Sequence, residues 1–165
     1  METLTKYFAV AAGGALGAML RFYLGGSILA RTIAPFPTAT FVINVTGSFV
    51  IGFFLTLATE GMKIDPHVRL AVAVGFVGAY TTFSTFEYET ARLVEERELL
   101  YAFLNVVLSF VIGFVAVWCG IVTARKLIGT PVASHAAYAR FEAHADANDP
   151  AQMKGAERDI RDSSI

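Results

Sequence analysis

The sequence predicts an all-α integral membrane protein with four transmembrane helices. Of its 165 residues, 55% are hydrophobic and 16% are charged, and the mean hydropathy is +0.57. Soluble domains carry about 25% charged residues, so this chain is poor in charge. Four apolar stretches are long enough to cross a bilayer, which takes about 20 residues. Helices suit this environment because each one satisfies its own backbone hydrogen bonds, as hydrocarbon requires.

Short links separate the four predicted spans, which makes neighbouring helices antiparallel. The spans cover about residues 7–30, 36–59, 68–86 and 99–124. Asp65-Pro66, before the third span, has the pattern of a helix start, with Asp as the N-cap and Pro at the first helical position. The composition becomes polar after Gly129. We therefore expect a membrane domain over residues 1–128 and a polar, mostly disordered tail over residues 129–165.

Charge and composition exclude several classes of protein. The chain has 13 Lys and Arg residues against 14 Asp and Glu residues, a net charge of −1, so it lacks the basic excess that nucleic-acid binding requires. A single cysteine, Cys119, excludes a disulfide framework and a cysteine-based zinc site. The spans contain neither histidine nor a catalytic Ser-His-Asp set, so we expect a protein that is not an enzyme.

Positive residues near the ends of the spans give a weak signal for orientation. The side that holds both termini has five such residues and the other side has three: Lys6, Lys63, Arg69, Arg125 and Lys126 against Arg31, Arg92 and Arg97. This bias is compatible with one orientation, with the termini in the cytoplasm. It is also compatible with insertion in both orientations, which would permit an antiparallel dimer.

The third predicted span contains a stretch that disfavours a continuous helix. Residues 75–86 include two glycines followed by four Ser or Thr residues, and Gly and Thr weaken helices. Ser84 and Glu87 have the spacing of a capping box. We predict that one helix ends near Gly78 and another begins near Ser84, inside the bilayer. Freed carbonyls there could hold a cation and freed N–H groups an anion; a plain kink stabilised by threonine side chains is the alternative.

Other polar residues in the spans are candidates for either packing or function. Asn44 is expected to join helices by hydrogen bonding or to bind a ligand. Tyr101, Asn105 and Ser109 share one face of the fourth span, which either packs against another polar helix or lines a pore. Arg21 lies deep in the first span and needs a partner, an aqueous vestibule or a snorkelling route. It could attract an anion into a vestibule or hold helix ends together. The length of this apolar run and Arg21 within it argue against a cleaved signal peptide.

Small residues recur at four-residue spacing in the first two spans. Such spacing is typical of faces where helices pack closely, either within the chain or between subunits. The pairs are Gly13 with Gly17, Gly14 with Ala18, and Ser48 with Gly52.

Three blocks of the sequence, taken together, resemble the CrcB/Fluc family of fluoride channels. The blocks are residues 13–22, 44–52 and 75–86, and the third, with the run GAYTTFSTF, is the most specific. Their order and the four-helix layout match over about residues 4–127. The tail after Gly129 has no counterpart in this resemblance.

The resemblance implies a fluoride-selective channel that exports fluoride passively and so lowers cytoplasmic fluoride. It implies an antiparallel, dual-topology homodimer in the lipid of a prokaryotic cell membrane, with two pores. It also implies a structural sodium ion at the dimer interface, held by the backbone carbonyls of Gly78 and Thr81. The pore residues that it implies are Asn44, Phe83, Phe86 and Ser109.

The fourth span departs from the family pattern. The resemblance leads us to expect an aromatic hydroxyl one turn before Ser109, but Asn105 is there and Tyr101 is one turn further back. The outer lining of the pore is therefore not assigned by the resemblance. Arg21, Ser84, Tyr101 and Asn105 are candidates for either a vestibule or a structural role.

Two other functions are compatible with four helices. A coupled transporter of the small multidrug type would need a carboxylate in the first span, where this chain has Arg21 and no acid. A helix-assembly protein without channel activity would use the small-residue faces to bind partner helices. An ion-flux measurement separates both from a channel.

Overall fold

The computed structural model describes residues 2–28 and 35–129, and every regular element within them is helical. Four helices of this part are long and apolar enough to cross a membrane, which confirms the all-helical, four-span prediction. We call them spans 1 to 4: Thr3–Gly26, Thr38–Gly61, Pro66–Glu95 and Leu99–Ile128. The predicted tail at residues 130–165 and most of the predicted link between spans 1 and 2, at residues 31–34, lie outside the described residues.

Spans 1 and 2 each consist of an α-helix that widens at its end. Span 1 is formed by α1 (Glu2–Tyr23) and the first part of a π-helical turn (Leu24–Ile28). Span 2 contains α2 (Thr38–Thr56) and a second π-helical turn (Leu57–Gly61). The hydroxyl of Thr56 donates to the carbonyl four residues back, at 2.7 Å. This bond satisfies the hydroxyl within its own helix, as an apolar environment demands.

Span 3 is assembled from several short helical pieces, whereas span 4 is one helix. Span 3 contains α3 (Pro66–Arg69), a π-helical segment (Leu70–Val77), α4 (Gly78–Tyr80) and α5 (Phe83–Glu95). Span 4 is α6 (Leu99–Ile128). Two residues between α4 and α5 are not helical, and they form the centre of the site described below.

The predicted start of the third span is confirmed. The Asp65 side chain accepts a hydrogen bond from the backbone N–H of His67 at 2.8 Å, and Pro66 is the first helical residue. The same hydrogen bond lowers the pKa of the Asp65 carboxyl. The His67 ring lies 3.1 Å from Asp65 and 3.1 Å from the Thr5 hydroxyl, so these side chains connect the beginnings of spans 1 and 3.

Glycines allow the spans to pack in pairs, span 1 against span 3 and span 2 against span 4. A Cβ on Gly13 would overlap the carbonyl oxygen of Ala71, and a Cβ on Gly75 would lie 2.5 Å from the carbonyl oxygen of Val10. A Cβ on Gly120 would lie 2.7 Å from the backbone nitrogen of Phe53 in span 2. The small-residue face that begins at Gly13 is therefore used for packing within the chain.

An ion pair connects the far ends of spans 2 and 4. The Arg125 guanidinium donates to both carboxylate oxygens of Glu60, from Nη2 at 2.7 Å and from Nε at 2.9 Å. A two-point contact of this kind holds both side chains in one orientation. It supports the span 2–span 4 pair at the same end as the close contact of Gly61 with Ile128.

Replacing Gly13 by Ala tests the packing of span 1 on span 3. The new Cβ would meet a backbone carbonyl, which cannot move without separating the spans, so we expect a loss of about 1–3 kcal/mol in stability. Thermal unfolding of the purified protein in detergent measures this. Gly14→Ala is the matched control, because the nearest atom to its new Cβ would be 3.8 Å away. Equal stability of the two variants would contradict the packing described here.

Candidate functional site

Two residues of span 3 have extended backbone and are held by span 2. Thr81 has a ψ of 157°, and Thr82 has φ −148° and ψ 115°. The N–H of Thr82 donates to Asn44 Oδ1 at 2.8 Å, and Asn44 Nδ2 donates to the Thr82 carbonyl at 3.0 Å. One side-chain amide thus pairs with both main-chain polar groups of Thr82, as backbone within hydrocarbon requires.

The helix α5 begins at Phe83, close to the predicted start near Ser84, but its N-cap is Thr82, so the capping-box spacing of Ser84 and Glu87 does not mark the cap. The Thr82 hydroxyl accepts from the backbone N–H of Thr85 at 3.3 Å and donates to the Thr85 hydroxyl at 2.9 Å. Ser84 lies in the first turn of α5 and is exposed. An N-cap residue needs non-helical backbone, and Thr82 has it because Asn44 holds it extended. That partner is distant in the sequence, so local spacing did not reveal it.

The extended residues remove the helical donors of the carbonyl groups at the end of α4, and those of Gly78 and Thr81 are among them. In a continuous α-helix the carbonyl of Gly78 would accept from Thr82, and that of Thr81 would accept from Thr85. Here the Thr82 N–H is bonded to Asn44 and the Thr85 N–H is bonded to the Thr82 hydroxyl. Main-chain oxygens at an unwound helix end are suitable ligands for a hard cation such as sodium. Gly78 and Thr81 therefore fit the sodium site that the resemblance implies.

A cavity of about 410 Å³ lies beside Gly78 and Thr81. Its walls come from spans 2, 3 and 4. They include the four residues that the resemblance assigns to the pore and both residues that it assigns to sodium: Asn44, Phe83, Phe86, Ser109, Gly78 and Thr81. The fold thus brings residues from three separate parts of the sequence to one cavity.

Three aromatic rings form one side of the cavity. The ring centroids of Phe83 and Phe86 are 5.8 Å apart, with 33° between the ring planes. Phe86 and Phe110 are 6.4 Å apart and nearly perpendicular, at 80°. Phe86 is 7% exposed, whereas Phe83 is 63% exposed. Phe86 is thus part of the core of the chain, while most of the Phe83 ring is available for another contact.

The polar face of span 4 divides between two environments. Ser109 lines the cavity, and its buried hydroxyl has no hydrogen-bond partner among the described residues. Asn105 is 1% exposed and donates to the Thr90 hydroxyl at 2.8 Å. Thr90 in turn donates to the Phe86 carbonyl at 2.7 Å. Asn105 therefore packs against the polar side of α5, and Tyr101, which is half-buried, also lies outside the cavity lining.

Arg21 is not brought into this site. It lies in the last turn of α1, is half-buried, and is outside the lining of the cavity. The structure therefore separates the candidate vestibule residue from the candidate pore residues.

Sequence reasoning missed several residues of the site. Thr82 carries only a weak signal, because threonine is a favoured N-cap residue but Thr85 is not the Glu or Gln of a capping box. Thr90 and Phe110 carry no local signal, since their roles depend on neighbours in other helices. Glu89, on α5, has a buried Oε2 without a hydrogen-bond partner among the described residues.

A family model described as CrcB-like protein, Camphor Resistance (CrcB), matches residues 8–121. The chain belongs to the CrcB family. This confirms the resemblance, and the matched segment contains the whole lining of the cavity. The site described above is therefore built entirely from CrcB-family sequence.

Several relatives of this chain are named fluoride-specific ion channel FluC. The protein of Acidobacterium capsulatum is 47% identical over 123 residues, which is 74% of this chain and 98% of the relative. The protein of Solibacter usitatus is 46% identical over 121 residues, 73% of this chain and 99% of the relative. That of a Sulfurihydrogenibium species is 43% identical over 125 residues, 75% of this chain and 100% of the relative.

The names of these relatives also indicate the class of protein and its place in the cell. They are named as ion channels, which is not a class of enzyme. With four spans of sufficient length and apolarity, the CrcB-family chain is a multi-pass protein of the bacterial cell membrane, as predicted.

Replacing Asn105 by Ala tests the hydrogen bond from Asn105 on span 4 to Thr90 on α5 in this CrcB-family chain. The change removes the donor to Thr90, and interhelical hydrogen bonds in membrane proteins contribute about 1 kcal/mol. We expect a loss of stability of that size in thermal unfolding in detergent. Ser84→Ala is the control, since Ser84 is exposed. If both variants unfold at the same temperature as the unchanged chain, the Asn105 contact does not support α5.

Proposed function

We propose that this chain is a fluoride-specific channel that lets fluoride leave the cytoplasm passively. The observation that carries the proposal is the cavity. It gathers Asn44, Phe83, Phe86 and Ser109 beside the extended residues of span 3, in a chain that matches nearly the full length of relatives named FluC. A coupled multidrug transporter is not supported, because span 1 offers no carboxylate within the bilayer.

The cavity offers several neutral groups that can replace the water of a fluoride ion. Fluoride is small and strongly hydrated, and transfer to a low-dielectric interior costs many kcal/mol without replacement contacts. The buried Ser109 hydroxyl has no partner among the described residues and can donate to the ion. Asn44 uses one hydrogen of Nδ2 for Thr82, which leaves the second available.

The aromatic rings add a weaker attraction. The edge of a phenyl ring carries partial positive charge, so Phe83 and Phe86 can present C–H groups to an anion in the cavity. None of these groups carries a full charge. The ion would therefore be bound weakly enough to leave again, which conduction requires.

The proposed channel is an antiparallel, dual-topology homodimer. Phe83 supports this arrangement, because it lines the cavity yet is 63% exposed in the single chain. A second copy would cover it and close the open side of the cavity. The weak charge bias between the two ends of the spans is compatible with insertion in both orientations.

The proposed dimer binds a structural sodium ion through the carbonyls of Gly78 and Thr81. The support is the loss of the helical donors of these two carbonyls, which leaves partial negative charge at the end of α4. A bound sodium ion would supply the positive charge that offsets it.

Fluoride efflux from liposomes tests the proposed function. Liposomes containing the purified protein should release fluoride, measured with a fluoride electrode, once the membrane potential is relieved, and chloride-loaded liposomes should not release chloride. Phe86→Ile should reduce the fluoride rate by about tenfold, equivalent to about 1.4 kcal/mol in the barrier, because the ring edge is lost.

Phe114→Ile is the matched control, since Phe114 is 71% exposed and lies outside the cavity lining. It should conduct like the unchanged protein. Chloride release as fast as fluoride release would refute the proposed selectivity. No release of either ion would favour a helix-assembly protein instead.

A further inference from the structure

The residues that line the cavity include a second serine, Ser48. It lies one turn after Asn44 on α2 and therefore on the same face, and both residues line the cavity with Ser109. The threonines of span 2 behave differently, because the hydroxyls of Thr46 and Thr56 donate to carbonyls of their own helix at 2.7 Å. The Ser48 hydroxyl makes no such bond and has no hydrogen-bond partner among the described residues.

The Ser48 oxygen faces a position on α6 that lacks a side chain. Gly113 lies one turn after Ser109 on α6, and a Cβ built on it would be 3.7 Å from Ser48 Oγ. Ser109 and Gly113 therefore lie on one face of α6, as Asn44 and Ser48 do on α2, and Ser109 lines the cavity whereas Gly113 lies next to Ser48. At the level of Gly113, α6 provides no hydrogen-bond donor of its own.

We propose that the Ser48 hydroxyl is a further ion-contacting group of the channel. It lies one helical turn beyond the two donors Asn44 and Ser109. At this level span 2 supplies a hydroxyl, whereas span 4 has Gly113, which has no side chain. The ligand of the Ser48 hydroxyl is a small anion that accepts strong hydrogen bonds, which rests on the proposed fluoride function. Because the hydroxyl makes no internal bond, it can donate to the ion without first breaking a contact within the protein.

A direct test removes the hydroxyl of Ser48 on α2 and then introduces a new hydroxyl at Gly113 on α6. Ser48→Ala removes the hydroxyl and keeps the Cβ, and we expect the fluoride efflux rate from liposomes to fall about tenfold. Adding Gly113→Ser to Ser48→Ala should restore most of the rate, since the new side chain grows toward the vacated position. Ser48→Ala with Gly113→Ala adds the same carbon without the hydroxyl and should stay slow.

Thermal unfolding and gel filtration of each variant show whether it is folded. A normal rate in Ser48→Ala, alongside a reduced rate in Phe86→Ile, would overturn the role of Ser48 and leave the proposed function intact. A reduced rate that Gly113→Ser restores no better than Gly113→Ala would also overturn it, because a packing defect then explains the loss. Absence of fluoride efflux from the unchanged protein would instead overturn the proposed function.

Discussion

The structure depends on one side chain that takes the place of a main-chain hydrogen-bond partner within the membrane. Asn44 accepts from the N–H of Thr82 and donates to its carbonyl, at 2.8 and 3.0 Å. Without this amide, the N–H of Thr82 would lose its partner, at a cost of several kcal/mol in hydrocarbon. With it, Thr82 stays extended and caps α5, and the carbonyls of Gly78 and Thr81 lose their helical donors. The cavity and the candidate cation site are consequences of the same contact.

The contact requires span 2 to approach span 3 closely, and two neighbours of Asn44 make this possible. A Cβ on Gly47 would overlap the methyl group of Thr81, so only glycine fits there without a shift. One residue earlier, the Thr46 hydroxyl lies 2.8 Å from the Tyr80 hydroxyl. Three nearby residues of span 2 thus lie against residues 80–82 of span 3: Asn44, Thr46 and Gly47. The conformation of span 3 at this point is determined by span 2 rather than by its own sequence alone.

Local properties of the sequence predicted the four spans and the start of α3, because apolar length and an Asp-Pro cap need no distant partner. Propensity also predicted an interruption between Gly78 and Ser84, and within that stretch the structure has two extended residues, Thr81 and Thr82. The N-cap was misplaced because Asn44 is 38 residues from Thr82. Phe83 and Phe86 look like ordinary apolar residues by pattern, and it was the family resemblance that singled them out.

Fluoride efflux from liposomes containing Asn44→Ala tests the central claim most directly. Val45→Ala, the next residue along α2 and outside the cavity lining, is the matched control. If the Asn44–Thr82 pairing creates the conducting site, Asn44→Ala loses at least about tenfold in rate, while Val45→Ala conducts like the unchanged protein. Unchanged fluoride efflux from Asn44→Ala would contradict the account.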